Sequence, residues 1–158
     1  MTKLEQALIM PEFVRLFCDV KFRGDCNKED PDLISFVAWW KYNNPMFKSH
    51  LIHIPNEKIS NPQGRIKDKK KGVLTGAPDV LILLPMNGFL GFIMECKRKN
   101  PAESLKSAEL KAHFELQKTI LNGYGEQGYF ACAAFGFEQM KGAWLAYVNH
   151  QKQSQFDL

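Results

Sequence analysis

Two acidic residues and a lysine flank two apolar segments of this sequence. Asp79 comes directly before residues 80–84 (VLILL), and Glu95 and Lys97 come directly after residues 89–94 (FLGFIM). The segment Pro-Met-Asn-Gly between the two runs is typical of a turn, so we expect an antiparallel hairpin. The start of its first strand then lies beside the end of its second strand. Asp79 and Glu95 are therefore expected to meet at one end of a sheet.

These residue types suit metal-assisted chemistry on phosphate. Glu95 and Lys97 are two residues apart, so both side chains leave one face of a strand. A divalent cation relieves the repulsion between two converging carboxylates, and an all-oxygen ligand set favours Mg²⁺, with Mn²⁺ as a substitute, over Zn²⁺. Such an ion polarises a phosphate, and a nearby ammonium can hold the attacking water or offset charge on phosphorus. An ordinary ion pair between Lys97 and one acid at the strand end is the alternative interpretation.

The connection between the two strands decides whether one ion can contact both acids. If Asn87 and Gly88 form a plain two-residue turn, counting outwards sets Asp79 opposite Cys96 and turns its carboxylate away from Glu95. A loop of three or five residues, or a bulge in one strand, sets Asp79 opposite Glu95 instead. The sequence therefore predicts an odd-length loop or a bulge between the two acids.

The wider sequence resembles a known group of nucleases. Pro-Asp, an apolar hairpin and Glu-x-Lys form the signature of the PD-(D/E)XK nuclease superfamily. Flanking elements between residues 30 and 148 resemble those of its VRR-NUC family, which includes stand-alone phage and bacterial nucleases. The matching residues are Ile54-Pro55-Asn56, Arg65, Lys71-Gly72, Gly76-Ala77-Pro78-Asp79, Gln117 and Gly128-Tyr129. The resemblance implies an α/β fold: a single-domain restriction-endonuclease-like core of order αβββαβ, with a mixed sheet flanked by helices.

The resemblance also implies further site residues. It puts Gln117 at the catalytic centre with Asp79, Glu95 and Lys97, where it would orient Lys97 or a water. A boundary glutamine bonded to the backbone is the alternative. We also expect the backbone carbonyl of Cys96 to be a metal ligand beside the two carboxylates.

An acid on the first long helix is implied to join the metal site. The sequence predicts that this helix begins with Asp30 as its N-cap and Pro31 as its first helical residue, and that it ends near Asn43. Asp30 fits the ligand position best by spacing, with Glu29 and Asp32 as neighbours. Helix capping alone is the alternative role for Asp30.

Basic residues flank the hairpin and indicate a phosphate-bearing partner. The net charge is only +4, but residues 65–71 hold five basic residues and one acid. A solvated basic loop is the alternative, and we expect residues 61–76 to be a polar, mobile loop. The candidate DNA-binding residues are Arg65, Lys67, Lys69, Lys70, Lys71, Arg98 and Lys99.

The rest of the chain yields coarser expectations. Glu57 follows the first strand and could reach the site, although an exposed loop acid is the default interpretation. We expect a helical extension of the same domain at 1–28, a nuclease core at 29–150 and a polar tail at 151–158. The extension should hold one or two short helices over 4–20. The core should hold strands at 50–54 and 129–135, helices at 103–122 and 138–150, and a glycine-rich link at 122–128.

Composition limits the class of protein. A chain of 158 residues with 45% apolar and 24% charged residues suits one soluble domain, and no apolar run approaches the roughly 20 residues of a membrane helix. The four cysteines form no C-x-x-C pair, so we interpret them as reduced thiols, although Cys18 and Cys26 could be bridged. Reduced thiols favour the cytoplasm, and the resemblance to phage and bacterial nucleases implies a bacterial or phage-infected cell.

The sequence thus predicts a Mg²⁺-dependent endonuclease that hydrolyses DNA phosphodiester bonds. The likeness to stand-alone nucleases implies a homodimer that cleaves Holliday junctions or other branched DNA, as in DNA repair. One alternative is a DNA-binding subunit of a repair or replication complex, with vestigial or partner-dependent nuclease activity. Another is nonspecific or tRNA cleavage, because a fold does not set the substrate.

Overall fold

A five-stranded mixed sheet forms the centre of the computed structural model, which describes residues 1–55 and 61–150. Asn56 of the Ile-Pro-Asn motif, Glu57 and the tail 151–158 lie outside the described residues. The elements are α1 (Lys3–Ala7), β1 (Val14–Phe17), α2 (Glu29–Asn43), a 3₁₀ segment (Pro45–His50), β2 (Leu51–His53), α3 (Pro62–Lys70), β3 (Val80–Ile82), β4 (Phe92–Lys97), α4 (Pro101–Ser104), α5 (Ala108–Glu126), β5 (Phe130–Phe135) and α6 (Phe137–Val148).

The strand order is β1-β5-β4-β3-β2. The hairpin β3–β4 and the pair β2–β3 are antiparallel, whereas β5 runs parallel to both β4 and β1. The chain order of α2, β2, β3, β4, α5 and β5 matches the predicted αβββαβ core, and the sheet is mixed as expected. None of the helices within these described ranges is long and apolar enough to cross a bilayer.

The two faces of the sheet carry different side chains. Every residue of β4 and β5 is buried, as expected for strands covered on both faces. Phe92, Met94 and Cys96 point to the face covered by α2 and α6, where Trp40 and Tyr147 are also fully enclosed. Burying each large apolar side chain contributes roughly 1.5–3 kcal/mol, so this face holds the main core. The intervening residues of β4 point towards α5.

The N-terminal segment contains a strand that the sequence analysis did not predict. Helical spacing over residues 4–20 suggested short helices, but α1 ends at Ala7 and Val14–Phe17 joins the sheet beside β5. Val14 and Leu16 pack on the α5 side and Phe17 packs on the other side, so period-2 alternation describes this stretch better. The buried Lys118 donates hydrogen bonds to the carbonyls of Ala7 and Ile9 and fixes this segment on α5.

The first long helix begins earlier than predicted. Lys28 is the N-cap of α2 and Glu29 is its first residue, so Asp30 lies inside the first turn and is not the cap. The Asp30 carboxylate still stabilises the start of the helix, because acidic side chains interact favourably with the positive end of the helix dipole. The predicted end at Asn43 is confirmed.

Residues 61–76 are not simply a loop, because Pro62–Lys70 forms the helix α3. The side chain of Asn61 accepts a hydrogen bond from the backbone N–H of Gly64 at 2.7 Å, and Pro62 occupies the first turn. This is a standard helix start, which the high charge of the segment obscured. No residue of α3 is buried.

The helix predicted at 103–122 is divided in two. Ser107 caps α5 by accepting a hydrogen bond from the N–H of Leu110. α5 then continues through Gly123 and Gly125, which were expected to form a link. Gly125 has a packing reason: a Cβ there would lie 2.3 Å from the carbonyl oxygen of Phe13. The predicted strand at 129–135 and helix at 138–150 are confirmed within about two residues at each end.

The β3–β4 hairpin contains the predicted bulge. Met86 bridges Phe89, so Asn87 and Gly88 form a two-residue turn with φ of 54° and 85°. The ladder, however, pairs Ile82 with Phe92. Positions 83, 84 and 85 therefore oppose only positions 90 and 91, and one residue of the first strand is extra. The three-residue and five-residue loops are not formed, but the bulge restores the register that sets residue 79 opposite residue 95.

Candidate active site

The register of β3 and β4 brings the three predicted residues together. Val80 pairs with Met94, so Asp79 comes opposite Glu95 on the face towards α5. Oδ2 of Asp79 accepts a hydrogen bond from the backbone N–H of Cys96 at 2.8 Å, which ties this carboxylate to β4. Nζ of Lys97 lies 3.3 Å from Oε1 of Glu95. The expected convergence at one strand end is confirmed.

The charged groups of this site are unusually enclosed. Glu95 is 2% exposed and Lys97 is 8% exposed. Removing charges from water is costly unless they are paired. The Lys97 ammonium lies 5.5 Å from the centroid of the buried Phe114 ring, a cation–π distance that adds to its ion pair with Glu95. The site is thus a small polar cluster held between β4 and α5.

Gln117 belongs to this cluster through its contact with Glu95. Its Nε2 donates a hydrogen bond to Oε1 of Glu95 at 2.6 Å. Gln117 therefore makes no direct hydrogen bond to Lys97, contrary to the expectation that it orients this lysine. Its partner is a side chain and not the backbone, so the alternative of a boundary glutamine bonded to the backbone is also not what the structure shows. Oε1 of Gln117 and Oε2 of Glu95 are buried and make no hydrogen bond to any described residue. Buried oxygens without a donor are rare, and a bound ion, a water or a shared proton is the usual explanation for them.

The electrostatic state of Glu95 follows from its surroundings. Burial, and then the negative charge of Asp79, raise the pKa of Glu95 well above its ordinary value, while Lys97 opposes that rise. Without a cation the pair of carboxylates is therefore inclined to keep a proton. Replacing that proton by a divalent cation would neutralise both acids.

The donor set fits a hard divalent cation. Asp79 and Glu95 offer carboxylate oxygens, and the free Oε2 of Glu95 is the kind of ligand that Mg²⁺ binds. Within residues 1–55 and 61–150, no group of three or more His, Cys, Asp or Glu side chains is placed to hold a metal. An ion at this site would use two carboxylates, the backbone and water, and Mg²⁺ commonly keeps several waters.

The acids of α2 divide into two groups. Glu29 and Asp30 line the same cleft as Asp79 and Glu95. Glu29 is half-buried, whereas Asp30 is exposed. Asp32 instead accepts a hydrogen bond from Asn27 and lines a separate pocket. Asp30 therefore remains a predicted ligand, and Glu29 lines the cleft as well.

Two histidines of the cleft were not anticipated. His53 donates from Nδ1 to the carbonyl oxygen of Asp79 at 2.8 Å and helps to fix the backbone there. His113 lies one turn before Gln117 on α5 and also lines the cleft. Burial, followed by the charge of Lys97, lowers the pKa of His113, so its imidazole is neutral near pH 7. Its spacing of four residues from Gln117 is the signal that could have identified it.

The predicted DNA-binding residues occupy different surfaces. Lys67, Lys69 and Lys70 are exposed on α3, and Lys71 is exposed at its end. Arg65 lines a groove beside the cleft. Arg98 is half-buried directly after β4, and Lys99 lines the pocket of Asp32 rather than the active-site cleft. We call these four exposed lysines of α3 and its end the α3 surface, and Lys99 is not part of it.

A comparison with solved structures identifies the architecture. A structure described as "VRR_NUC domain protein" matches with a TM-score of 0.61 and 20% sequence identity, over 78% of this chain and 90% of that one. No protein-family model matches the sequence, and no curated protein matches it significantly. The chain therefore has the VRR-NUC fold, a restriction-endonuclease-like architecture, as the sequence resemblance implied.

Proposed function

We propose that this protein is a metal-dependent nuclease that hydrolyses DNA phosphodiester bonds. The observation that carries the proposal is the convergence of Asp79, Glu95, Lys97 and Gln117 on one cleft. An ordinary ion pair accounts for the contact between Lys97 and Glu95, but it needs only one acid. Burial, and then the second carboxylate, raise the pKa of Glu95 and oppose the pair, which is typical of a functional site. The likeness to the VRR_NUC domain protein supports the same conclusion.

The residues fit Mg²⁺, and Mn²⁺ is expected to substitute. The carboxylates of Asp79 and Glu95 and the backbone carbonyl of Cys96 would hold the ion, with Glu29 or Asp30 as a further acid at the edge of the cleft. When bound, the cation polarises the phosphate and lowers the pKa of its water.

The protein's own groups have separate roles in the hydrolysis. The oxygen of a water forms a bond to phosphorus, a P–O bond of the DNA backbone breaks, and a proton ends on the leaving oxygen. The Lys97 ammonium donates to the attacking water or to a phosphate oxygen and offsets the negative charge that develops on phosphorus. Glu95 and Phe114 hold that ammonium in place. Gln117 fixes Oε1 of Glu95, so that Oε2 stays available.

The substrate is proposed to be branched DNA, such as a Holliday junction, cleaved by a homodimer in the cytoplasm. The sequence resemblance to stand-alone nucleases supports this narrower assignment. The exposed lysines of α3 support a DNA partner, because cations beside a catalytic cleft attract a phosphate backbone. The competing candidate is a DNA-binding subunit without its own activity.

A panel of DNA substrates with a metal titration tests the proposal. The purified protein is given a supercoiled plasmid, a linear duplex, a nicked duplex and a four-way junction, with Mg²⁺, Mn²⁺ or EDTA. We expect cleavage with Mg²⁺ or Mn²⁺ only, and fastest on the branched substrate. The Glu95→Ala protein, prepared in parallel, controls for a contaminating nuclease. Binding without cleavage of any substrate at any metal concentration would favour the DNA-binding subunit.

A further inference from the structure

A second cavity lies beside the active-site cleft. It is a groove of about 920 Å³ between the segment 65–78 and the face of β3 and β4 that points towards α5. Its walls are mainly apolar and aromatic, and they include Leu74, Leu83, Tyr124 and Tyr129. The rings of Tyr124 and Tyr129 meet edge to face, with centroids 6.4 Å apart. The groove therefore offers aromatic surface to a flat apolar group.

The groove is continuous with the candidate active site. Leu81 and Ile93 line it, and each is two residues along a strand from Asp79 and Glu95 on the same face. Two residues of a strand span roughly 7 Å, so the groove begins next to the two carboxylates. His113 lines both the groove and the cleft. A molecule bound at the carboxylates would extend directly into this groove.

The rim of the groove is basic. Arg65, Lys69 and Lys71 line it from the α3 side, with Asp68 as the acid among them. Apolar and aromatic walls below a cationic rim are complementary to a nucleotide, because the base is flat and apolar on its faces and the backbone is anionic. An acidic protein segment would also match the charge, but it would not explain why the groove opens from a phosphodiester site.

We propose that this groove binds an unpaired nucleobase of the DNA strand, next to the phosphate that is cleaved. The inference rests on the proposed nuclease function and specifies its substrate class. Aromatic side chains stack on bases of any sequence, but only a base that has left the duplex can reach them. The enzyme therefore prefers DNA with an unpaired nucleotide beside the cut, as in a gap, a flap or a branch point, over a continuous duplex.

Two exposed leucines of the hairpin provide a matched pair of variants. Leu83 is 51% exposed and lines the groove, whereas Leu90 is 54% exposed and does not line it. A glutamate at either position adds the same charge without opening the core. A second pair varies the stacking surface: Tyr129→Ala removes the ring, and Tyr129→Phe keeps it.

Binding is measured in the Lys97→Ala background, so that DNA stays intact. The probes are a gapped duplex with one unpaired 2-aminopurine and the same duplex fully paired. Fluorescence anisotropy reports affinity, and 2-aminopurine fluorescence reports stacking. We expect roughly tenfold tighter binding of the gapped DNA with quenched 2-aminopurine, because stacking of one base on an aromatic ring is worth about that factor. Leu83→Glu and Tyr129→Ala should remove the preference, and Leu90→Glu and Tyr129→Phe should keep it.

If Leu83→Glu and Tyr129→Ala both still prefer gapped over fully paired DNA, the inference is overturned. Two variants are used so that the test does not depend on the folding of either one. Unquenched 2-aminopurine in the Lys97→Ala protein that carries no groove substitution would also overturn the inference. A change of sedimentation with Leu83→Glu but not with Leu90→Glu, and with the DNA preference intact, would reassign the groove to contact between protein copies. Failure of the nuclease function itself would appear separately, as absence of metal-dependent cleavage by the unsubstituted protein.

Discussion

Gln117 donates its side-chain N–H to Oε1 of Glu95 at 2.6 Å, from the middle of α5 to the end of β4. The Lys97 ammonium lies 3.3 Å from the same oxygen. Both donors therefore use one side of the carboxylate, and Oε2 on the other side is buried without a donor. This asymmetry leaves one oxygen of Glu95 held by two donors and the other without one, and the proposed cation would use the second.

The Gln117→Leu variant should lose activity without losing DNA affinity. Leucine is close to glutamine in size but cannot hold Oε1 of Glu95, and losing a partner that orients a metal ligand typically costs 10–100-fold in activity or metal affinity. We expect a turnover reduction of roughly that size and a higher Mg²⁺ requirement. Gln127→Leu, at an exposed position after α5, is the matched control. If Gln117→Leu keeps wild-type turnover and metal dependence, Gln117 only packs against its neighbours and does not orient Glu95.

The Asp79→Asn variant should be more stable than the wild type when metal is absent. Asparagine can still accept the hydrogen bond from the N–H of Cys96, but it removes the charge that helps burial to raise the pKa of Glu95. The gain should be about 2–4 °C in Tm at pH 8 in EDTA, the shift expected for about 1 kcal/mol in a chain of this size. Added Mg²⁺ should stabilise the wild type and have little effect on the variant.

The pH dependence of that stability has a defined sign. Folded Glu95 keeps its proton to a higher pH than unfolded Glu95, so folding takes up a proton between the ordinary value of 4.5 and the raised one. In EDTA, the stability of the wild type should therefore fall as pH rises through that window and level off above it. The decline should end at a lower pH in Asp79→Asn, so the total loss of stability should be smaller. Thermal unfolding across a pH series measures both losses, and equal losses would contradict the coupling of the two acids.

Replacing the four lysines of the α3 surface, Lys67, Lys69, Lys70 and Lys71, by alanine should weaken DNA binding and reduce its salt dependence. Each phosphate contact on duplex DNA contributes about 0.9 to the slope of log K against log salt, so the slope should fall by up to about 3.6. Fluorescence anisotropy at several salt concentrations measures this change. The fold should persist, because α3 has no buried residue.

A second quadruple variant separates local contact from net charge. Lys3, Lys21, Lys28 and Lys48 are exposed and lie outside α3. Their replacement by alanine changes the net charge by the same amount and should leave the salt slope nearly intact. Equal slopes for the two quadruple variants would mean that the α3 surface is merely solvated.

The residues that meet at the site could be predicted from sequence further than the geometry that brings them together. The requirement that Asp79 and Glu95 share a face was sufficient to predict an odd-length loop or a bulge. The sequence did not show which of these two would form, because Asn87-Gly88 makes a good two-residue turn and the extra residue lies among positions 83–85. The bulge is decided by the buried pairing of Val80 and Ile82 with β4, a tertiary effect.

Other differences have similarly local causes. The strand at Val14–Phe17 has its partner in β5, more than a hundred residues away, so its local pattern did not reveal it. α3 was missed because its charge outweighed the capping signal of Asn61 and Pro62. The start of α2 lies two residues earlier than predicted, which moves Asp30 from the cap to the first turn; Glu29, now the first helical residue, lines the same cleft.

The most direct test of the central claim is the Mg²⁺-dependent cleavage rate of the Asp79→Ala, Glu95→Ala and Lys97→Ala proteins, each shown to be folded by circular dichroism and thermal unfolding. Cys96→Ala is the control, because the Cys96 side chain lies on the opposite face within the core and only its backbone is assigned to the site. We expect the first three proteins to have no measurable cleavage and the control to remain active. A folded Asp79→Ala, Glu95→Ala or Lys97→Ala protein with near-normal turnover would show that this cluster is not the catalytic centre.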